Sequence, residues 1–166
     1  MISIKEYHTE YSEDKQASYV WADEPLNCSF CASSELVRKG WRSRTLITLI
    51  GSLLLLLVQR VRCKNCGKIH HVLPDIIVPY KRYSAETVEA IIDGCAEKAL
   101  RGLDEQEIYR IKTWWVKMER YILKKSASVI NKLKIQISPK SKLTTIVRAL
   151  ANTHLWPRTR SVLVAA

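Results

Sequence analysis

The sequence lacks the features of a membrane anchor or a secretion signal, and it has no internal repeat or low-complexity segment. Its longest mainly apolar run lies between Leu46 and Val58 and holds 13 residues, with Gly51 and Ser52 in the middle. A helix of that length reaches roughly 20 Å, whereas a bilayer core is about 30 Å thick. The N-terminus lacks the cationic and then apolar pattern of a signal peptide. These absences disfavour a membrane protein, and we expect a cytoplasmic location.

Acidic residues are absent after Glu119. A strand-transfer enzyme of the three-carboxylate type needs acids spaced along a strand-rich fold, so the chain does not fit that class. A tyrosine recombinase requires a downstream tyrosine nucleophile with arginine and histidine helpers. Tyr121 is the last tyrosine here, so His154 and the arginines beyond it have no such nucleophile to assist. We therefore expect a protein without catalysis and without a small-molecule substrate.

Basic residues outnumber acidic residues in this chain. There are 27 basic and 16 acidic residues, for a net charge of +11. Residues 1–27 hold two lysines against six acids, a net charge of −4, so the remainder carries +15. A surface of this kind favours an anionic partner, with nucleic acid ahead of an anionic membrane surface. The alternative is a soluble basic protein whose charged helix faces are only solvated.

Four of the five cysteines form two C-x-x-C pairs, Cys28 with Cys31 and Cys63 with Cys66. Each pair can direct two thiolates at one ion, and two pairs give the tetrahedral four-sulfur site that suits structural zinc. Such a closed site stabilises the fold and leaves no open position for catalysis. The pattern predicts a zinc ribbon in a reducing compartment and disfavours disulfides. His70 and His71 are alternative ligands, but we expect them to be partly exposed strand residues.

The residues between the two pairs predict a β-hairpin. Residues 42–50 and 53–63 are β-compatible, and Gly51-Ser52 between them is typical of a two-residue turn. Leu53 to Leu57 make both faces of the second strand apolar, so later helices or a second subunit must cover one face. A homo-oligomer that assembles through the hairpin between Leu46 and Val58 is therefore one hypothesis. Residues 1–26 are expected to form a strand or an extended acidic arm.

Helical periodicity begins at Ser84, a candidate N-cap, and is expected to continue to Gly102 with Cys95 as a core thiol. A second helix begins at Asp104, a third covers residues 126–136, and Ser138-Pro139 begins a fourth. Short helices joined by tight turns are compatible with a helix-turn-helix. The predicted fold is thus α+β, with an acidic arm and zinc ribbon in residues 1–79 and a basic, helix-turn-helix-like domain in residues 80–166. The candidate nucleic-acid-binding residues are its cations Lys81, Arg82, Arg110, Lys112, Lys117, Arg120, Lys124 and Lys125.

The stretch from Arg60 to Ser84, with the earlier Cys28-x-x-Cys31 pair, resembles a family of small Firmicute proteins that carry a domain of unknown function and are often linked to mobile elements. That family is similar in turn to the N-terminal zinc-binding and helix-turn-helix segments of transposases. The likeness extends from residue 28 to about residue 115 and does not include the C-terminal helices. One departure is Ser29-Phe30 in the first pair, where such families often have proline.

The resemblance implies a DNA-binding protein in a mobile-element setting, with double-stranded DNA as the partner. We expect an accessory or regulatory factor. The alternative hypothesis is an interaction module for protein or RNA that assembles through the leucine-rich hairpin. A third hypothesis, peripheral membrane association, depends on the same hairpin and on the positive charge.

Overall fold

A six-stranded mixed sheet and a group of helices make up the described chain, and the predicted α+β class is confirmed. The computed structural model describes residues 1–95 and 103–157. Within these ranges the strands are β1 (Ile2–Ile4), β2 (Tyr7–Ser12), β3 (Ala17–Ala22), β4 (Leu36–Ile47), β5 (Leu53–Cys63) and β6 (Ile69–Pro74). The helices are α1 (Ala85–Ile92), α2 (Glu105–Leu133) and α3 (Leu143–Asn152).

Strand β5 is the centre of the sheet. It pairs antiparallel with β4 along its length and with β6 at residues 60–62. It also pairs in parallel with β3 at Leu56 and Leu57. Edge pairing does not bury the faces of the strand, and of the five leucines only Leu56 is buried. Leu56 and Val58 are buried, whereas Leu53 remains 68% exposed near the turn.

The acidic N-terminal segment forms strands and not an extended arm. β2 and β3 form an antiparallel hairpin, and β1 adds to the edge of β6 in parallel, with Ile2 opposite Val72. Ile4 and Val20 are buried in the core of the sheet. The segment is therefore part of the sheet, and five of its six acidic residues lie in the turns and connections that flank β2 and β3, with Glu10 on β2 itself.

The predicted two-residue turn between β4 and β5 is wrong in length. β4 ends at Ile47, and the Gly51 N–H donates to the Thr48 carbonyl at 3.0 Å, while the Thr48 N–H donates to the Ser52 carbonyl at 2.9 Å. Residues 49–51 are therefore a three-residue loop. Gly51 has a φ of 81°, the left-handed conformation that closes a loop of this type. In the described part of the chain, no helix has the length and apolar character needed to cross a membrane.

Two apolar cores lie on the two halves of the chain, one under the sheet and one among the helices. They are joined at β1. The Asn152 side chain at the end of α3 accepts a hydrogen bond from the Ser3 N–H at 2.8 Å and donates one to the Ser3 carbonyl at 2.9 Å. This amide thus pairs with β1 as a strand would. The domain division at residue 79 stays a prediction.

Helix α1 begins as predicted but ends early. The Ser84 hydroxyl accepts the Thr87 N–H at 3.1 Å, which confirms Ser84 as the N-cap. The helix ends at Ile92 because Gly94 takes a φ of 74°, a conformation that stops a helix. Cys95 is exposed, so its assignment as a core thiol is wrong. The expected continuation to Gly102 lies outside the described residues.

Helix α2 merges the predicted second and third helices. Asp104 is its N-cap, as predicted, and accepts the Gln106 N–H at 3.1 Å. Ser126, the expected start of a separate helix, instead donates its hydroxyl hydrogen to the Leu123 carbonyl at 2.9 Å. A serine can bond back to its own helix in this way without ending it. The 29-residue helix buries Ile111, Trp115, Met118, Ile122 and Val129 on one face.

The start of α3 was also predicted wrongly, since it begins at Leu143 and not after Ser138-Pro139. Its N-cap residue, Lys142, makes no side-chain cap hydrogen bond. The Glu89 carboxylate of α1 takes that role, because it accepts the N–H of Leu143. An acceptor from another helix is a tertiary cap, which a local sequence pattern does not reveal.

Candidate metal centre and basic surfaces

Two loops of the same geometry hold the four paired cysteines. In the first loop the Ala32 N–H donates to the Cys28 carbonyl at 2.8 Å, and the Cys28 N–H donates to the Ser33 carbonyl at 2.9 Å. The loop that starts at Cys63 repeats both bonds: the Gly67 N–H donates to the Cys63 carbonyl at 3.0 Å, and the Cys63 N–H donates to the Lys68 carbonyl at 2.9 Å. Each loop is therefore a tight turn that brings its two sulfur atoms to the same side.

The strand register brings the two loops together. Leu36 at the start of β4 lies opposite Cys63 at the end of β5, and the Lys64 N–H donates to the Glu35 carbonyl at 2.9 Å. The first loop immediately precedes β4, so this pairing places Cys28 and Cys31 beside Cys63 and Cys66. The Cys63 side chain is fully buried at the strand end.

The four sulfur atoms form a cluster of the right size for one ion. The Sγ atoms lie 3.6 Å apart in the pairs Cys28–Cys66 and Cys31–Cys63, and the whole set lies within 4.8 Å. A tetrahedral ion with metal–sulfur bonds of about 2.3 Å places its sulfur ligands about 3.8 Å apart. A disulfide would need about 2.05 Å, and the cysteines are free. The cluster can hold a metal ion.

The thiols of Cys63 and Cys66 differ in pKa. The Cys66 backbone N–H, with help from Cys31, lowers the pKa of Cys63 to about 7. The Lys68 backbone N–H also favours the thiolate of Cys66, but burial and the neighbouring sulfurs outweigh it and raise the pKa of Cys66 to about 12. Four adjacent thiolates repel one another, so full deprotonation needs a cation among them.

His70, which the sequence offered only as an alternative ligand, lies against this cluster. It is 2% exposed, so the expectation of a partly exposed residue is wrong. Its Nε2 atom lies 3.2 Å from the Cys28 sulfur, and its Nδ1 atom lies 3.4 Å from the Ser29 hydroxyl. Burial, with help from nearby positive charges such as Lys68, lowers the pKa of His70 to about 4. The neutral ring can therefore donate from Nε2 to the sulfur and accept from Ser29.

The two loops share a left-handed backbone position but have different residues there. This difference allows a prediction with two opposite substitutions. Gly67 has a φ of 72°, and Ala32 holds the equivalent position with a φ of 60°. The left-handed conformation costs an L-residue about 1 kcal/mol relative to glycine. We expect Ala32→Gly to raise the free energy of unfolding and Gly67→Ala to lower it by that amount, as measured in urea.

Steric clashes do not complicate the comparison of these two substitutions. A Cβ at Gly67 would meet only the Arg62 guanidinium at 4.0 Å, an ordinary contact. Equal destabilisation by both substitutions would contradict the conformational explanation.

A second prediction concerns His70. We expect His70→Ala to lower metal affinity about 10- to 100-fold, because hydrogen bonds to a ligand atom orient it and stabilise its charge. Competition with a chromophoric chelator measures the affinity. His71→Ala is the control, since His71 lies next in the strand but bonds to Arg44. Unchanged affinity in His70→Ala would show that the 3.2 Å contact has no role in metal binding.

Most of the predicted cations of α2 share one face. Arg110, Lys117 and Lys124 recur every seven residues, and Arg120 lies one turn from Lys117 and Lys124. We call these four residues the basic stripe. Arg110 forms an ion pair with Glu107 at 2.6 Å. Lys112 and Lys125 lie elsewhere on the helix surface.

The other two predicted cations, Lys81 and Arg82, line a cavity of about 540 Å³. Arg42 and Arg44 of β4 and His71 of β6 line it with them. We call these five residues the basic cleft. Sequence reasoning missed the two arginines, although their spacing of two residues on a strand would have placed them on one face.

The fold and the site define a mixed α+β protein with a four-cysteine cluster that can hold a metal ion. The chain belongs to the family described as "Domain of unknown function (DUF6431)", whose family model matches residues 28–111. The matched segment contains both cysteine pairs, β4 to β6, α1 and the start of α2. No curated protein and no solved structure matches the chain.

Proposed function

We propose that this protein binds double-stranded DNA and that a structural zinc ion stabilises its ribbon-like sheet. In this proposal it is a non-catalytic accessory or regulatory factor of a mobile element. Zinc is the proposed ion because four thiolates in a closed tetrahedral set suit it better than the harder divalent cations. The mobile-element setting depends on the family resemblance alone.

The observation that carries the DNA proposal is the lack of ionic partners for the positive charge. Among residues 1–95 and 103–157, Arg110 and Glu107 form the one direct ion pair that involves a lysine or arginine. Nearly all lysines and arginines of the described ranges are therefore without an ion-paired carboxylate. Phosphate groups of a nucleic acid would neutralise such a surface and release counterions.

The helix-turn-helix part of the proposal concerns α1 and the first half of α2. The two helices pack together through Val88 and Ile91 of α1 and Ile111 and Trp115 of α2. The basic stripe lies away from this buried face, so α2 is the candidate for contact with a groove or with the phosphates beside it.

Fluorescence anisotropy with a labelled duplex tests the proposal. If each of the eight predicted cations contacts one phosphate, the slope of log K against log salt concentration is about −7. The double variant Arg120→Gln/Lys124→Gln should reduce the slope by about 2. Lys5→Gln is the control, because Lys5 is an exposed cation in the acidic N-terminal segment. Absence of binding to any duplex at low salt would refute the proposal.

A second candidate function is self-assembly through the hairpin, and one observation favours it. At the tip of the hairpin Ile50 is 84% exposed, and Leu53 and Leu54 are also exposed. An apolar tip of this kind suits a contact with a second copy or a partner. Light scattering on the wild type and on Leu53→Lys would decide, since a monomer in both would remove this candidate.

A further inference from the structure

The basic cleft has four cations in its lining, and Glu107 of α2, outside the lining, is the acid that acts on Lys81. Its lining includes Arg42, Arg44, Lys81 and Arg82, and no acidic side chain of the described residues lines it. Arg42 and Arg82 make no side-chain hydrogen bond or ion pair with the described part of the chain. Lys81 places its Nζ atom 4.3 Å from the centre of the Trp114 ring, so it links the cleft to α2.

The fold forces these cations together. Arg42 and Arg44 leave β4 on the same face, opposite Val58 and Leu56 of β5. The connector after β6 is clamped to the end of β4, because the Ile47 N–H donates to the Arg82 carbonyl at 2.7 Å. A neighbouring bond joins the Ser84 N–H to the Ile47 carbonyl at 2.9 Å. These two bonds hold Lys81 and Arg82 beside β4, in the lining of the same cavity as Arg42 and Arg44.

His71 orients one of the arginines without neutralising it. Its Nδ1 atom lies 3.4 Å from Nη2 of Arg44. Burial, with Arg44, Arg42 and Arg60 nearby, lowers the pKa of His71 to about 4, so the ring is neutral at pH 7 and accepts from the guanidinium. Burial and then Arg42 lower the pKa of Arg44, while Tyr80 acts in the opposite direction. An anion in the cleft would favour the charged guanidinium over the neutral form and so oppose this lowering of the pKa.

The wall of the cleft includes a strained turn. The Lys81 N–H donates to the Val78 carbonyl at 3.0 Å, with Pro79 and Tyr80 at the central positions. Tyr80 has a φ of 65°, where a turn of this type usually has glycine. A bulky residue in this conformation is uncommon, and such strain is typical of binding sites. The turn fixes the direction in which Lys81 and Arg82 leave the backbone.

We propose that the basic cleft binds backbone phosphates of duplex DNA, with Arg44 as the oriented guanidinium and Arg42, Lys81 and Arg82 as further cationic contacts. The inference rests on the proposed function and locates a phosphate-binding site that lies off the helices. Arginine suits this role because its planar guanidinium can bind two phosphate oxygens at once. Lys81 connects this site to the helix that carries the basic stripe.

Duplex affinity in Arg42→Gln, Arg44→Gln and Arg44→Lys tests the proposal, with the zinc content of each variant checked first. We expect each glutamine variant to bind the labelled duplex roughly 10-fold or more weakly, since one charge-assisted contact is lost. Arg44→Lys keeps the charge but loses the planar fork, so it should fall between Arg44→Gln and the wild type. Lys39→Gln is the matched control, an exposed cation on β4 that does not line the cavity.

Thermal unfolding without DNA separates binding from folding. Because Arg44 is crowded by like charge, Arg44→Gln should unfold at the wild-type temperature or above it. Wild-type duplex affinity in both Arg42→Gln and Arg44→Gln would overturn the cleft proposal while leaving the proposed function intact. Equal losses in Lys39→Gln would also overturn it, because net charge would then explain the effect. Absence of duplex binding by the wild type would overturn both proposals.

Discussion

Substitution of Cys63 by serine is expected to abolish metal binding and to unfold the sheet. Cys63 is the buried end of β5 and lies opposite Leu36, so its thiolate connects the register of the hairpin to the cluster. Structural zinc in finger peptides contributes about 10–16 kcal/mol, which is comparable with the about 5–15 kcal/mol stability of a whole domain. Elemental analysis for zinc, circular dichroism and urea unfolding measure the two effects.

Cys95→Ser is the control for this experiment. Cys95 is exposed and does not belong to the four-sulfur cluster, so we expect full metal content and wild-type unfolding. Removal of the metal from the wild type with a chelator should reproduce the Cys63→Ser spectrum. A Cys63→Ser protein that unfolds cooperatively at the wild-type urea concentration would show that the cluster does not stabilise the sheet.

The cysteine cluster could be predicted because its chemistry is local. Two thiolates separated by two residues face one ion whatever surrounds them, so Cys28, Cys31, Cys63 and Cys66 were identified from spacing alone. The contribution of His70 could not be predicted in this way. Its contact with Cys28 joins residues that are 42 positions apart, and it depends on how β6 packs behind the first loop.

Long-range pairing also explains what was missed in the sheet. β1 pairs with β6, about 70 residues away, through only three residues. A strand of three residues is too short to show a periodicity, and its stability comes from a partner that the local sequence does not identify. The dependence on a distant partner also holds for β3, whose contact with β5 involves only Leu56 and Leu57.

Serine positions show the limit of local helix signals. Ser84 is an N-cap, whereas Ser126 lies inside α2 and Ser138 precedes α3 by a turn. Each was expected to begin a helix. Tertiary contacts decide where each helix begins. Glu89 supplies the cap of α3, and a continuous buried face runs through Met118, Ile122 and Val129 of α2. Packing of that face outweighs the weak preference of one serine.

Ala127→Pro is expected to lower the free energy of unfolding by about 3 kcal/mol or more, because proline in a helix interior loses a hydrogen bond and clashes with the preceding turn. If Ser126 instead began a separate helix, residue 127 would be its first position, where proline is favoured. Ala127 is exposed, so the substitution removes no buried contact. Urea unfolding of the metal-loaded protein measures the change.

Ala127→Gly controls for helix propensity, because glycine keeps the backbone N–H and should cost only about 1 kcal/mol. The ratio of the two effects therefore reports whether the hydrogen-bond ladder of α2 continues past Ser126. The result also bears on DNA binding, since the basic stripe ends at Lys124 and depends on a straight helix to keep its cations aligned. Wild-type stability of Ala127→Pro would mean that α2 is interrupted and that a turn follows the stripe.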